Sequence, residues 1–171
     1  YMNKAVFEVK IKHLPKLTSN GFDQVEFYIQ TNPGEKMGPL VKIASGGELS
    51  RVMLALKSIF AVEQNITSII FDEVDTGVSG RVAQAIAEKI LQLSQKSQVL
   101  CITHLPQVAA VGKHHLLVKK SVKNNRTKTI VILLNHDQRI QEIARMLAGS
   151  QVTALAIKHA EEMLKLAKSK I

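Results

Sequence analysis

The chain has few of the residues that support redox, metal or base-stacking chemistry. Its 171 residues include no tryptophan, two tyrosines and one cysteine. So few aromatic rings give little support for a platform that stacks nucleic-acid bases. Cys101 lies inside an apolar run, which indicates a small buried hydrophobe in a reducing compartment rather than a reactive thiol. A single cysteine and scattered histidines also argue against a zinc site.

Long apolar segments are missing as well. No uninterrupted apolar run approaches the length of a membrane-spanning helix, so we expect no membrane contact. The residues Tyr1-Met2-Asn3-Lys4 open no apolar segment, so we expect no secretory signal. Apolar residues still make up 46% of the chain, which is enough to bury the core of one domain.

Acidic residues are in the minority. The chain has 23 lysines and arginines against 14 acidic residues, which gives a net charge of +9. Basic residues are dense between Lys113 and Lys128, and they recur near the end of the chain at Lys158, Lys165, Lys168 and Lys170. Such an excess favours a polyanionic partner, nucleic acid first, although a solvated basic face is an equal alternative.

The apolar pattern predicts an α/β fold. Alternation at 7–12 and 24–30 predicts two antiparallel edge strands, whereas apolar runs at 69–71 and 99–102, on either side of a helix at 79–95, predict parallel strands. These runs indicate a mostly parallel sheet that helices cover on both faces. The other expected elements are a loop at 32–39, a helix from Leu49 with Leu49, Val52, Met53, Leu56 and Phe60 at helical spacing, a helix at 106–111, strands at 115–120 and 129–134, and helices at 137–148 and 152–169 separated by Gly149.

Ser45-Gly46-Gly47-Glu48 lies at the start of the first long predicted helix. Its Ser-x-x-Glu spacing is that of a capping box. The capping box does not account for the two glycines, each of which costs about 1 kcal/mol in a helix relative to alanine. Bare N–H groups at a helix N-terminus attract anions, so the glycines indicate the close approach of a phosphate.

Two acids, Asp72 and Glu73, directly follow the apolar run at 69–71. Ligands of parallel sheets bind at the carboxyl ends of the strands. One carboxylate there can hold Mg²⁺, and its neighbour can orient or deprotonate a water molecule. The alternative is a pair of acids that only begin a helix. Asp75 adds a third acid in the next loop and, taken alone, would be a solvated turn residue.

His104 follows the second apolar run, so it should lie at the same sheet edge as the acids. A lone histidine is more often structural, but this registration favours a role in which the imidazole hydrogen-bonds a phosphate or an attacking water. Nowhere does the chain contain a GxxxxGK[ST] loop, which normally cradles nucleotide phosphates. The residues therefore predict one part of a phosphate-and-metal site.

These motifs, in this order, resemble those of ABC-type ATPases. Ser45-Gly46-Gly47-Glu48 is similar to the signature motif, and Ile69-Ile70-Phe71-Asp72-Glu73 is similar to Walker B with the catalytic glutamate. The segment from Val74 to Gly80 resembles the D-loop, and Thr103-His104 resembles the H-loop.

Longer strings resemble the SMC-like ATPases of bacterial DNA repair in particular. They are Ala44-Ser45-Gly46-Gly47-Glu48-Leu49-Ser50-Arg51, Ile70-Phe71-Asp72-Glu73-Val74-Asp75-Thr76-Gly77, Thr103-His104-Leu105-Pro106-Gln107-Val108-Ala109 and Asn32-Pro33-Gly34-Glu35. The resemblance implies that the chain is a single domain, the C-terminal lobe of a split ATPase head. An N-terminal lobe with the phosphate loop and a long coiled coil would belong to the same protein.

The resemblance also implies roles for individual residues. Asp72 would hold Mg²⁺, Glu73 would act on the attacking water, and His104 would sense or stabilise the γ-phosphate. Ser45-Gly46-Gly47-Glu48 would close over ATP bound to a second head, with which the first forms a homodimer. Asp75 would lie at the head–head interface.

The function implied is ATP binding and hydrolysis in DNA double-strand break repair and recombination, with DNA as a partner and a cytoplasmic, nucleoid-associated location. The chain alone should be inactive because it lacks the phosphate loop. An alternative is a basic, DNA-contacting dimerisation module in which nucleotide controls only assembly. A transporter's ATP-binding subunit is disfavoured, since such subunits normally carry both lobes on one chain.

Overall fold

A computed structural model describes residues 4–43, 46–72, 74–123, 126–149 and 151–169. The elements of these residues, in chain order, are β1 (Val6–Thr18), β2 (Gly21–Gln30), β3 (Gly38–Pro39), α1 (Leu40–Ile43), α2 (Gly46–Glu63), β4 (Ser68–Asp72), α3 (Gly80–Ser94), β5 (Gln98–Ile102), α4 (Pro106–Val111), β6 (Leu116–Lys123), β7 (Arg126–Leu133), α5 (His136–Ala148) and α6 (Ala154–Lys168). None of the described helices is long and apolar enough to cross a bilayer.

The predicted βαβ unit is confirmed. Strands β4 and β5 pair in parallel, and helix α3 connects them. One face of the pair is buried, because Phe71 and the neighbouring covered side chains pack against α2, α3 and α4 in the main core. The other face is open, with Ile70, Leu100 and Ile102 exposed by 64%, 45% and 61%. In the described part of the chain, helices cover one face of the pair, and the second face of the expected two-sided arrangement is open.

The predicted antiparallel strands are also present, but they form sheets of their own. Strands β1, β2 and β3 make one antiparallel sheet, and β6 and β7 make a second. Among the described strands only β4 and β5 pair in parallel, so the expected mostly parallel sheet is reduced to that pair. The α/β class holds, with the parallel pair carrying the main core.

Helix α2 begins at Gly46, as the serine–glycine motif predicts, but it buries an unexpected face. The side turned to the core carries Leu54, Ser58 and Ala61, which are at most 5% exposed. The larger apolar residues Leu49, Met53 and Phe60 are exposed by 40%, 41% and 50%. Their helical spacing predicts the helix correctly, yet no described residue buries them.

The last two helices pack against α4 in a second apolar cluster. Ala110 of α4 meets Ile143 and Ala144 of α5 and Ala160 and Leu164 of α6. Helix α5 begins with a complete capping box between Asn135 and Gln138 and ends before Gly149, whose φ of 74° ends the helix as predicted. These contacts fix α4, the helix that directly follows His104.

Arg139 of α5 ties this cluster to the end of α4. Its Nη2 donates to the carbonyl oxygen of Gly112 at 2.7 Å and to those of Ala110 and Ala109 at 3.3 and 3.4 Å, and its Nη1 donates to that of Lys113. The last carbonyls of a helix have no hydrogen-bond partner within the helix and carry partial negative charge. A guanidinium donates hydrogen bonds to these carbonyls, and its positive charge is attracted to them. Nothing in the sequence marks this role, because Arg139 lies 27 residues after Gly112.

We predict that Arg139→Met lowers the free energy of unfolding by about 2 kcal/mol, because several carbonyls lose a charged donor. Urea denaturation of the chain measures the change. The matched control is Arg81→Met, at an exposed arginine, for which we expect a change below about 0.5 kcal/mol. Equal stability of the Arg139 variant and the parent would contradict the proposed capping.

Candidate functional site

The parallel pairing of β4 and β5 brings the predicted site residues to one edge. Asp72 is the last residue of β4 and pairs with Ile102, which Thr103 and His104 directly follow. Asp72 lies on the open face of the strand, next to Ile70, and the His104 side chain is 67% exposed. The predicted common edge is therefore confirmed, and both side chains are accessible. Glu73 lies outside the described residues.

Asp72 also lines a cleft of about 260 Å³ between β4 and α2. Its walls are mostly apolar, with Leu49, Met53, Leu54 and Lys57 from α2, Ile70 and Phe71 from β4, and Val74 beyond the strand. Apolar walls lower the local dielectric constant and so strengthen the attraction between a carboxylate and a cation. The cleft is open because the large side chains of α2 and β4 lack a cover.

The described residues contain no group of three or more histidine, cysteine or acidic side chains that could hold a metal ion. Asp72 therefore belongs to no cluster of three or more such ligands within this part of the chain. One carboxylate suits Mg²⁺, which usually keeps several waters and takes further oxygens from phosphates. The donor set fits a magnesium ion that arrives with a nucleotide better than a metal caged by the protein.

The signature-like motif lies at the N-terminus of α2. Gly46, Gly47 and Glu48 are the first three helical residues, so the backbone of the two glycines is where unpaired N–H groups are expected. Ser45 lies outside the described residues, and so does its predicted cap. The glycines are the first described residues of α2, and phosphate binding there stays a prediction.

Asp75 is not the solvated turn residue that its loop position alone suggests. Its side chain is 1% exposed, and its Oδ2 accepts hydrogen bonds from the Thr103 hydroxyl and from the backbone N–H of His104 at 3.2 Å. The same oxygen lies 3.5 Å from Nδ1 of His104. The burial is explained by these donors, because they satisfy a carboxylate that water no longer reaches. A role of Asp75 at a head–head interface stays a prediction.

Two glycines with positive φ shape the loop that follows Asp75. Gly77 and Gly80 have φ values of 68° and 55°, a conformation that side chains rarely adopt. Between them, Val78 is 8% exposed and packs into the main core, and its N–H donates to the carbonyl oxygen of Asp75 at 3.2 Å. The loop thus connects the end of β4 to α3 while holding Asp75 against the end of β5.

The hydrogen bonds of Thr103 could not be predicted from the sequence. Its hydroxyl donates to Asp75 and accepts from the N–H of Leu105 at 3.0 Å, one residue before α4 begins. The only signal available was its place next to His104 at a strand end. Thr103 joins three segments and so fixes the backbone that carries the imidazole.

Cys101 lies beside this network on the covered face of β5. In the register of the two parallel strands it lies beside Phe71, and its side chain packs against the main core. Burial raises the pKa of its thiol to about 11, and the carboxylates of Asp75 and Asp72 add to the shift. A thiol with so high a pKa stays protonated at neutral pH, which agrees with the predicted unreactive hydrophobe.

Comparisons with known proteins decide the family. The chain is 56% identical over 173 residues to the DNA repair protein RecN of Halalkalibacterium halodurans, and the match covers 99% of this chain. It is 54% identical to the DNA repair protein RecN of Bacillus subtilis, with 98% covered. The chain belongs to the RecN family. It spans about a third of the length of these relatives, 31% and 32%, and corresponds to their C-terminal part.

Solved structures agree with the RecN assignment at the level of the fold. An SMC ATPase, studied for ATP-driven dimerization and DNA-stimulated activation, matches with a TM-score of 0.53 and 18% identity, covering 84% of both chains. The Smc head domain of Pyrococcus yayanosii, with a coiled coil and joint, matches with a TM-score of 0.63 and 18% identity, covering 83% of this chain and 26% of that one. No protein-family model matches. The fold is that of an SMC-type ATPase head lobe.

We predict that Asp75→Ala lowers the free energy of unfolding by about 1–3 kcal/mol, because it leaves the part-buried Thr103 hydroxyl and His104 N–H without their acceptor. Asp75→Asn keeps an acceptor oxygen and should lose less. Thr76→Ala, at the exposed neighbour, is the control. Urea denaturation compares the three variants, and an Asp75→Ala variant as stable as the parent would refute the network.

The thiol of Cys101 should react slowly with iodoacetamide at pH 8. With a pKa of about 11, the thiolate fraction is about a hundredfold or more below that of a free cysteine. The rate should rise as the pH approaches 11, and it should reach the ordinary rate in urea at pH 8. Mass spectrometry follows the modification. Equal rates for the folded and unfolded chain at pH 8 would contradict the assignment.

Proposed function

We propose that the chain is the C-terminal lobe of a split, SMC-like ATPase head that acts in DNA double-strand break repair and recombination. It contributes the signature motif, Walker B and the H-loop to ATP binding and hydrolysis where two heads meet. The DNA-repair part rests on the names of the RecN relatives, which are about three times as long as this chain.

The main support is the position of Asp72 on the open face of the parallel pair. The same face and the adjoining side of α2 expose Ile70, Leu100, Met53 and Phe60, which would normally be covered by protein. A second lobe that packs on this face would bring its phosphate loop to Asp72 and His104. The proposed N-terminal lobe would thus complete both the hydrophobic core and the site.

Each site residue then has a chemical role. Asp72 would contribute a carboxylate oxygen to Mg²⁺, which neutralises charge on the phosphates when bound. Glu73 would orient the attacking water and accept its proton. His104, which the bonds of Asp75 and Thr103 position, would hydrogen-bond the γ-phosphate. Gly46 and Gly47 would offer backbone N–H groups to ATP held by the opposing head.

A second candidate function is a dimerisation module that contacts DNA and in which ATP binding alone controls assembly. The net charge of +9 favours a DNA contact under either proposal. The two differ in whether Glu73 takes part in hydrolysis.

We predict that Glu73→Gln in a full-length RecN-family protein containing this segment lowers ATP turnover by about 10²- to 10⁴-fold, because the water loses its general base. ATP binding should be retained, since the amide is similar in size. Phosphate release measures turnover, and Glu63→Gln, at an exposed residue of α2, is the matched control. The chain alone should hydrolyse ATP negligibly.

Unchanged turnover in Glu73→Gln would remove the catalytic role and favour the dimerisation module. Robust turnover by the rigorously purified chain, abolished by the same substitution, would show that no second lobe is needed.

A further inference from the structure

The β6–β7 hairpin holds the densest positive charge of the chain. Residues 89–136, between Glu88 and Asp137, contain no aspartate or glutamate. Within them the hairpin carries Lys119, Lys120, Lys123, Arg126 and Lys128. The side chains of Lys119, Lys120, Arg126 and Lys128 are all exposed.

The pairing register gathers most of this charge on one face. Lys119 lies opposite Ile130, Ser121 opposite Lys128, and position 123 opposite Arg126. Residues directly opposite each other share a face of an antiparallel pair, as do alternate residues along a strand. Lys119, Arg126 and Lys128 therefore project from the same face. Alternate residues are roughly 7 Å apart along a strand, and the strands are roughly 5 Å apart, so Lys128 lies within about one Debye length of both Lys119 and Arg126.

Like charges at this spacing repel one another unless anions offset them. No ion pair or hydrogen bond links Lys119, Arg126 or Lys128 to a carboxylate in the described part of the chain. The opposite face is mainly apolar, with Leu116, Val118, Val131 and Leu133 and a single cation, Lys120. The basic face also carries Ile130 and Ile132, so its cations are concentrated at the 119–128 end of the hairpin, which suits contact with a polyanion.

We infer that this basic face is a sequence-independent contact surface for the DNA backbone, with Lys119, Arg126 and Lys128 as the phosphate-binding residues. The inference rests on the DNA-associated function proposed above. The hairpin has no aromatic residue for base stacking, so the contact is to phosphates. The positions from Lys119 to the partner of Arg126 span roughly 14 Å along the strand, which matches about four successive phosphates at about 3.4 Å of helix axis each.

The test is a salt titration of binding to a fluorescent duplex by the 171-residue chain. The variant K119Q/R126Q/K128Q removes three charges from the basic face. The control K158Q/K165Q/K168Q removes three charges from exposed positions of α6. We expect the hairpin variant to bind at least about tenfold more weakly at low salt and to reduce the slope of log K against log salt by about 3, since each phosphate contact contributes about 0.9. The control should change affinity less than about twofold.

Equal losses in the two variants would overturn the inference, because net charge alone would then explain binding. No duplex binding by the parent chain at low salt, or preferential binding of polyglutamate that depends on the same three residues, would also overturn it. ATP turnover by the full-length hairpin variant without DNA should equal that of the parent. A failure here therefore leaves the proposed ATPase function standing, whereas unchanged turnover in Glu73→Gln would remove that function and leave the result of this titration as it is.

Discussion

The parallel pairing of β4 with β5 is the constraint on which the candidate site depends. Because the two carboxyl ends meet in register, Asp72 and His104 lie at one edge although 32 residues separate them in sequence. Asp75 then adds a second link, since one buried carboxylate oxygen accepts bonds from both Thr103 and His104. The fold thereby brings the Asp72 carboxylate and the His104 imidazole to one edge, where the proposed function needs a metal ligand and a phosphate contact.

Several surfaces of the chain expose large apolar side chains. The exposed side of α2, the open face of β4 and β5, and one face of the β1–β2 hairpin all carry large exposed apolar side chains. On that hairpin Phe7 and Phe27 stack at 5.6 Å between ring centroids, yet they remain 41% and 47% exposed. Apolar exposure on this scale is typical of a surface that packs against protein. It agrees with a chain that covers about a third of its relatives' length.

The sequence predicts the helices and strands more accurately than the contacts that their side chains make. Periodicity found α2, α3, β4 and β5, because backbone hydrogen bonding and side-chain alternation are local. It could not reveal which face of α2 is buried, since periodicity locates the apolar stripe around Met53 but not the surface, if any, that packs against it. The loop position of Asp75 suggests a solvated residue, because the partners that bury it, Thr103 and His104, are 28 and 29 residues away in sequence. Arg139 was missed for the same reason, as only the fold brings it to the end of α4.

The most direct test of the split-site account is a structure of a full-length RecN-family protein with Mg²⁺ and a non-hydrolysable ATP analogue. The account predicts that a second lobe covers Ile70, Leu100 and Ile102, and that the terminal phosphate and its magnesium ion lie against Asp72 and beside His104. A nucleotide bound away from this edge, or an open face that stays solvent-exposed in the complete protein, would contradict it.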